Sequence, residues 1–178
     1  FKAHPGRYVV LDVQFQLRIG EMTAPIMYAE LAAKLGIAVG DKASVVATRT
    51  AVLELRGMKG MLLSKTDHDS WSAGSFFTNP VVSTSVAKSL PEEATRWIVG
   101  DNKIKVSAAW LLQNSGISRG DRHGGAGISS KHVLALCNAD NATAQEIIEL
   151  AKKARKAVKD NFGITLTPEV RLIGLTLD

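Results

Sequence analysis

The sequence predicts an α+β protein, and three observations predict it. Past residue 70, short strand and helix patterns follow one another over roughly ninety residues, a workable size for one domain. Val9, Leu11, Val13, Phe15 and Leu17 alternate strictly with their neighbours, the period of a strand with one buried face. Thr143 and Glu146 form the T-x-x-E capping box, which opens a helix with Ile147, Leu150, Ala151, Ala154 and Val158 on one face.

The other elements follow in order. YAELAAKLG, from Tyr28, reads as a short helix stopped by Gly36. SVVATRTAVLELRGMKG reads as a longer helix with Ser44 as candidate N-cap. Arg56 and Lys59 lie three apart near its end and are expected on one side of it. LLSKTDHDSWSAGSFF is polar and rich in small residues, and is the expected domain boundary. STSVAKSL suggests a helix. KIKVSAAWLLQNSG reads as a strand end and then a helix closed by Gly116. SRGDRHGGAG reads as a flexible glycine-rich loop and SKHVLALCN as a strand. NFGITLTPEVRLIG is expected to be extended structure broken by Pro168, an edge or two short strands. The first seventy residues read as the tail of a different domain.

Composition narrows the function. Hydrophobic residues make up 46% of 178, which supports a real core. The balance of 22 basic to 17 acidic residues is mild; it suits phosphate-bearing ligands as well as nucleic acid. Six percent aromatics without a stacking motif argues against a nucleic-acid binder. The cluster Lys152, Lys153, Arg155 and Lys156 reads as a solvated helix face. Cys137 is the single cysteine and sits in an apolar run, so a buried inert thiol in a reducing compartment is expected, and the cytoplasm with it. No apolar run approaches the roughly 20 residues of a membrane helix, and no membrane partner is expected. His4, His68, His123 and His132 lack metal-ligand spacing, so no metal is expected. GDRHGGAG lacks the phosphate-loop pattern.

What remains is a set of polar residues in apolar surroundings: Ser75 and Asn79 in SAGSFFTNP, Lys105 before VSAAWLL, His132 before VLALCN, and Glu169 in TPEVR. Each also has an ordinary reading. Ser75 beside Gly74 is then a loop serine, Lys105 a surface lysine, His132 a strand-edge histidine, and Glu169 pairs with Arg171 on one strand face. Arg56 and Lys59 at a helix end also suit the helix dipole. Periodicity does not bring these residues together.

Five ordered blocks do. AGSFFTNP, KVSAAWLLQNSG, GGAGISSKHVLAL, CNADNATAQEI and LTPEVRLIG resemble the C-terminal half of the UDP-N-acetylenolpyruvoylglucosamine reductase (MurB) family. The resemblance extends upstream through RGMKG and VVLDVQFQL to FK. The tyrosine in PIMYAEL is similar to that of the subgroup with a tyrosine-bearing loop over the substrate domain.

The resemblance implies an NADPH-dependent, FAD-containing oxidoreductase of peptidoglycan synthesis, a cell-wall enzyme acting on UDP-N-acetylglucosamine enolpyruvate. It implies a substrate-binding domain at residues 70–160, with residues 1–69 finishing an FAD-binding domain and residues 161–178 returning to it. Most of the flavin site and a catalytic arginine would lie N-terminal to FK, so the N-terminal half of the same enzyme is the expected partner, in a monomeric whole. By the resemblance, Ser75 is the proton donor for the carbon left with carbanion character, and Glu169 assists at the substrate carboxylate. Gly74 lets the backbone approach flavin and substrate, and Phe76 and Phe77 anchor the turn. Tyr28, Lys59, Asn79, Lys105 and His132 would bind the UDP-sugar with Arg56 nearby, and Arg171 is a possible cofactor contact. The alternative is a UDP-sugar binding module that performs no catalysis on its own.

Overall fold

A computed structural model describes residue 4 and residues 6–178. Phe1 and Lys2, where the resemblance begins, lie outside the described residues. The chain forms two compact units, Phe1–Val52 and Leu53–Asp178. Mixed helix and sheet make the protein α+β.

In the first unit, helix α1 (Ala29–Leu35) follows Tyr28, which is extended, and ends where Gly36 turns left-handed at φ +69°. A small core of Ile26, Ala32 and Ala43 holds it, with Leu31, Leu35 and Ile37 packed alongside. Backbone bonds Thr23 N–H to Ala43 O and Ile26 N–H to Asp41 O close the loop around that core. Helix α2 (Val45–Met58) begins directly after Ser44 and runs through the division between the units.

The expected strand at Val9–Leu17 is not one. The segment has no ladder partner among the described residues, and Val9, Leu11, Val13, Phe15 and Leu17 are all exposed. Alternation defines two faces, but only a neighbouring strand and a covering layer make one of them a core face.

The second unit carries two sheets. One runs β1 (Ser72–Ser75), β7 (Ala135–Asn138), β6 (Ala126–Ile128), β5 (Arg122–His123) in spatial order, all antiparallel. The other runs β2 (Val81–Ser83), β4 (Lys103–Val106), β3 (Arg96–Gly100), also antiparallel. Helix α3 (Thr84–Lys88) is capped by Ser83, and α4 (Ala108–Gln113) by Ser107. The α4 helix already ends at Gln113, with Asn114 as its cap, before Gly116 is reached. Helix α5 (Ala144–Phe162) has the full capping box and packs Ile148, Leu150, Ala151, Ala154 and Val158 into the core, so Ile148, rather than Ile147, is the fully buried residue of the first turn.

The glycine-rich stretch 118–127 is a hairpin rather than a flexible loop. Gly125 lies so close to Asp140 O and the backbone of Ala142 that a Cβ there would stand 2.2 Å from the carbonyl. Its N–H bonds Glu146, so the capping-box carboxylate also fixes the hairpin to α5. Residues 164–178 form no strand; one bridge, Phe77 with Pro168, is the whole of their sheet-like pairing. They nevertheless belong to the core: Ile164, Leu166 and Leu177 are buried in it.

Candidate active site

The stretch SAGSFFTNP turns at Gly74. The register of β1 against β7 shifts between Ser72 and Ser75: three steps on β1 meet two on β7, from Cys137 to Ala135. That is a bulge, the device by which a strand re-aims a side chain. Gly74 absorbs it at φ +85°, a conformation that L side chains rarely adopt, and open space lies where its Cβ would be. Beyond the bulge, Phe76 and Phe77 bury their rings edge to face at 5.0 Å and anchor the turn.

The last segment docks on this anchor. Glu169 N–H bonds Phe76 O at 2.8 Å, and Thr78 N–H bonds Thr167 O at 3.0 Å. Ser75, Glu169 and Arg171 thereby line one open cleft of about 500 Å³ with Ala73 and Val170. The sequence set Ser75 and Glu169 at opposite ends of the domain; the pairing of residues 76–78 with 167–169 joins them. An apolar crevice of about 540 Å³ adjoins the cleft across Ala73 and Val170, with Gly74, Trp71, Leu63 and Ile147 among its walls.

A second group gathers at the end of α2. Lys59 falls in the turn just past the helix, its N–H bonded to Arg56 O at 3.2 Å, so it is not on a common helix face with Arg56. In that turn Gly60 approaches Asp69 so closely that a Cβ would meet its carbonyl oxygen at 3.1 Å. Asp69 in turn accepts the N–H and hydroxyl of Ser130, and Asp67 accepts the Lys131 ammonium. These two carboxylates clamp the residues before His132. Burial of Asp69 opposes ionisation, but the Ser130 bonds outweigh it and hold its carboxyl below the usual value. Burial, then the Lys59 ammonium, then Arg119 lower the pKa of His132, although its backbone hydrogen bond acts the other way. Its Nδ1 accepts Leu134 N–H at 3.1 Å, which leaves the ring proton on Nε2 as a donor. A neutral donor beside two cations suits a phosphate oxygen.

The third group stands at the start of the smaller sheet. Asn79 Oδ1 accepts Ala108 N–H at 2.9 Å, so Asn79 holds the start of α4. Lys105 pairs with Val81, two residues on from Asn79, across β4 and β2. Tyr28 belongs to the first unit and is exposed. Arg56 is exposed in the last turn of α2.

Sequence reasoning passed over Arg119 and the Asp67–Lys131 and Asp69–Ser130 clamps. The paired aspartates in KTDHDS were visible, but nothing local tied them to residues some sixty positions away. Cys137 is buried as expected; burial above all pushes its thiol pKa up, which keeps it out of the chemistry. Among the described residues no helix is long and apolar enough to cross a membrane.

The fold and this cleft define an α+β domain with a serine and a carboxylate at one open site. The profile of the UDP-N-acetylenolpyruvoylglucosamine reductase (MurB) C-terminal domain matches residues 65–173. Proteins named UDP-N-acetylenolpyruvoylglucosamine reductase are similar along nearly the whole chain. That of Cutibacterium acnes is 46% identical over 99% of this chain and 47% of its own length. That of Thermobifida fusca is 45% identical over 96% of this chain and 51% of its own, and that of Mycobacterium marinum 44% over 95% and 48%. The chain belongs to the MurB family. It spans about half the length of the curated relatives it matches.

Proposed function

We propose that this chain is the substrate-binding and proton-donating part of an NADPH-dependent flavoenzyme that reduces UDP-N-acetylglucosamine enolpyruvate to UDP-N-acetylmuramate in peptidoglycan synthesis. The observation that carries the reading is the cleft shared by Ser75, Glu169 and Arg171. The residues fit a planar cofactor: Gly74 leaves open space where a side chain would stand, and the crevice beside it is lined mostly by apolar side chains, Leu63, Trp71 and Ile147 among them. Arg171 is the residue of this chain assigned to that cofactor, with the rest of its site in the N-terminal half of the same enzyme. When bound, reduced FAD supplies the hydride.

This chain's residues do the rest. Carbanion character develops on the carbon bearing the substrate carboxylate, and stabilising that developing charge is what accelerates the step. The Ser75 hydroxyl donates its proton to that carbon, a task in which position counts before pKa. Glu169 acts at the carboxylate end. Lys59 and the Nε2–H of His132 hold the diphosphate with Arg56 nearby, and Tyr28, Asn79 and Lys105 bind the same UDP-sugar. Residues 1–69 complete the flavin domain, residues 70–160 bind substrate, and residues 161–178 return to the flavin side. The whole enzyme is a cytoplasmic monomer in this reading.

The test is Ser75→Ala in the intact enzyme, followed by stopped flow. Reduction of the flavin by NADPH is expected to stay within twofold of wild type, because it needs no proton on carbon. Reoxidation by the enolpyruvyl substrate is expected to slow about 10²–10⁴-fold. Equal slowing of both half-reactions would make Ser75 a structural residue.

A further inference from the structure

The polar stretch between α2 and β1 is closed on itself. Ser64 N–H bonds the Ser70 hydroxyl at 2.9 Å, that hydroxyl donates to Asp67 O at 2.7 Å, and the Trp71 ring N–H bonds Ser64 O at 2.8 Å. The turn between β6 and β7 is closed in the same way. Ser129 N–H bonds Ala135 O at 2.8 Å, Ala135 N–H bonds His132 O at 3.0 Å, and the Ser129 hydroxyl accepts Lys131 N–H at 3.1 Å. Ser70 and Ser129, one in each of these loops, are buried. Each loop is thus held in one shape by its own hydrogen bonds.

Asp69 joins the two loops. One carboxylate oxygen accepts Ser130 N–H at 2.7 Å and the other accepts the Ser130 hydroxyl at 2.5 Å, both short charge-assisted bonds. The Asp69 carbonyl lies against Gly60, where a Cβ would meet it at 3.1 Å. Gly60 directly follows Lys59, and Ser130 stands two residues before His132. Asp67 adds a second tie through the Lys131 ammonium. Lys59 is near enough to help lower the pKa of His132, so the two groups repel when both are charged. Their spacing is set from behind, by Asp69.

We propose that Asp69 is a positioning residue of the site: its side chain fixes the turn that carries His132 and its carbonyl the turn that carries Lys59, so that both groups meet one diphosphate. This rests on the function proposed above and adds to it a residue that acts through others. Misplacement by about 1 Å is enough to forfeit the gain of a prearranged site.

The experiment titrates the intact oxidised enzyme with UDP-N-acetylglucosamine enolpyruvate and follows flavin reduction by NADPH separately. In Asp69→Ala the Kd is expected to rise about tenfold, within the range of coupling between neighbouring residues, while flavin reduction stays within about twofold. Asp69→Asn is the rescue: its amide can accept the Ser130 N–H and donate to the Ser130 hydroxyl, and its Kd is expected within about threefold of wild type. In a background carrying both Lys59→Ala and His132→Ala, Asp69→Ala is expected to cost less than about twofold, because the groups it positions are gone. A merely structural role would weaken binding equally in both backgrounds. Where Asp69→Ala does not fold, Ser130→Ala removes the hydroxyl bond alone and takes its place, with an expected rise of about threefold. Wild-type affinity in the folded variant, or an equal loss in the background lacking both groups, overturns the proposal and leaves the function intact. A wild-type enzyme that does not bind UDP-N-acetylglucosamine enolpyruvate overturns the function itself.

Discussion

Val9, Leu11, Val13, Phe15 and Leu17 are 63–92% exposed, whereas Ile164 and Leu166 in the last extended segment are 4% and 0% exposed. Both segments alternate apolar and polar residues, and neither forms a regular strand. The difference is what each meets. Residues 167–169 find the backbone of residues 76–78, and that pairing carries Ile164 and Leu166 into the core beneath α5. The first segment meets no pairing backbone among the described residues. Alternation therefore names the face that burial would use, while burial itself depends on a distant partner. The same contrast bears on function, because the pairing that buries Leu166 is also what brings Glu169 beside Ser75.

The sharpest way to break the comparison is Phe77→Ala. If the 76–78 turn is the anchor that residues 167–169 need, the second unit should lose about 3–5 kcal/mol of stability in urea unfolding. The amide of Glu169 should then lose its hydrogen-exchange protection, while amides at positions 9–17 exchange fast with or without the change. A protected Glu169 amide in Phe77→Ala would detach the last segment from the turn.

Thr143→Ala tests a local signal of the same domain. It removes one half of the capping box and should cost about 1 kcal/mol. Its companion, Glu146→Gln, should also loosen Gly125 in the hairpin, since Glu146 accepts that N–H. Retained hairpin protection in both variants would show that the box acts on α5 alone.

The effect of pH on His132 is smaller and its sign is fixed. Its folded pKa lies below the ordinary 6.5, chiefly through burial and then Lys59. Below about pH 6.5 the unfolded chain therefore binds a proton that the folded chain refuses. Stability from this group is present above that pH and falls as pH drops toward the folded value. Melting temperatures between pH 7.5 and 5.5 should show this decline, and His132→Gln should flatten it. An unchanged slope would remove His132 from the Lys59 cluster. The smallest effect belongs to the exposed segment: Leu11→Ser in this chain should shift stability by less than about 0.5 kcal/mol. A larger loss would mean that the segment is covered after all.

Much of the fold was legible because its signals are local. The Thr143–Glu146 box, the stop at Gly36 and the buried Cys137 all depend on a few neighbouring residues. The polar residues of the site could be picked out one by one, and the resemblance supplied their roles. Their grouping was not legible. Lys59 reaches His132 through Gly60 packed on Asp69 and through the Asp69–Ser130 bonds, the latter between residues some sixty positions apart.

By itself the sequence determined the α+β class, the end of α1 and the start of α5, the buried cysteine and the family resemblance, since hydrogen bonds within a turn and the spacing of apolar residues are written along the chain. Only the tertiary structure decided which alternating segment is buried, that the glycine-rich stretch 118–127 is a hairpin, and that Ser75, Glu169 and Arg171 share a cleft. Backbone pairing joins any two complementary edges, so the choice of partner rests with the packing of the whole domain rather than with either segment alone.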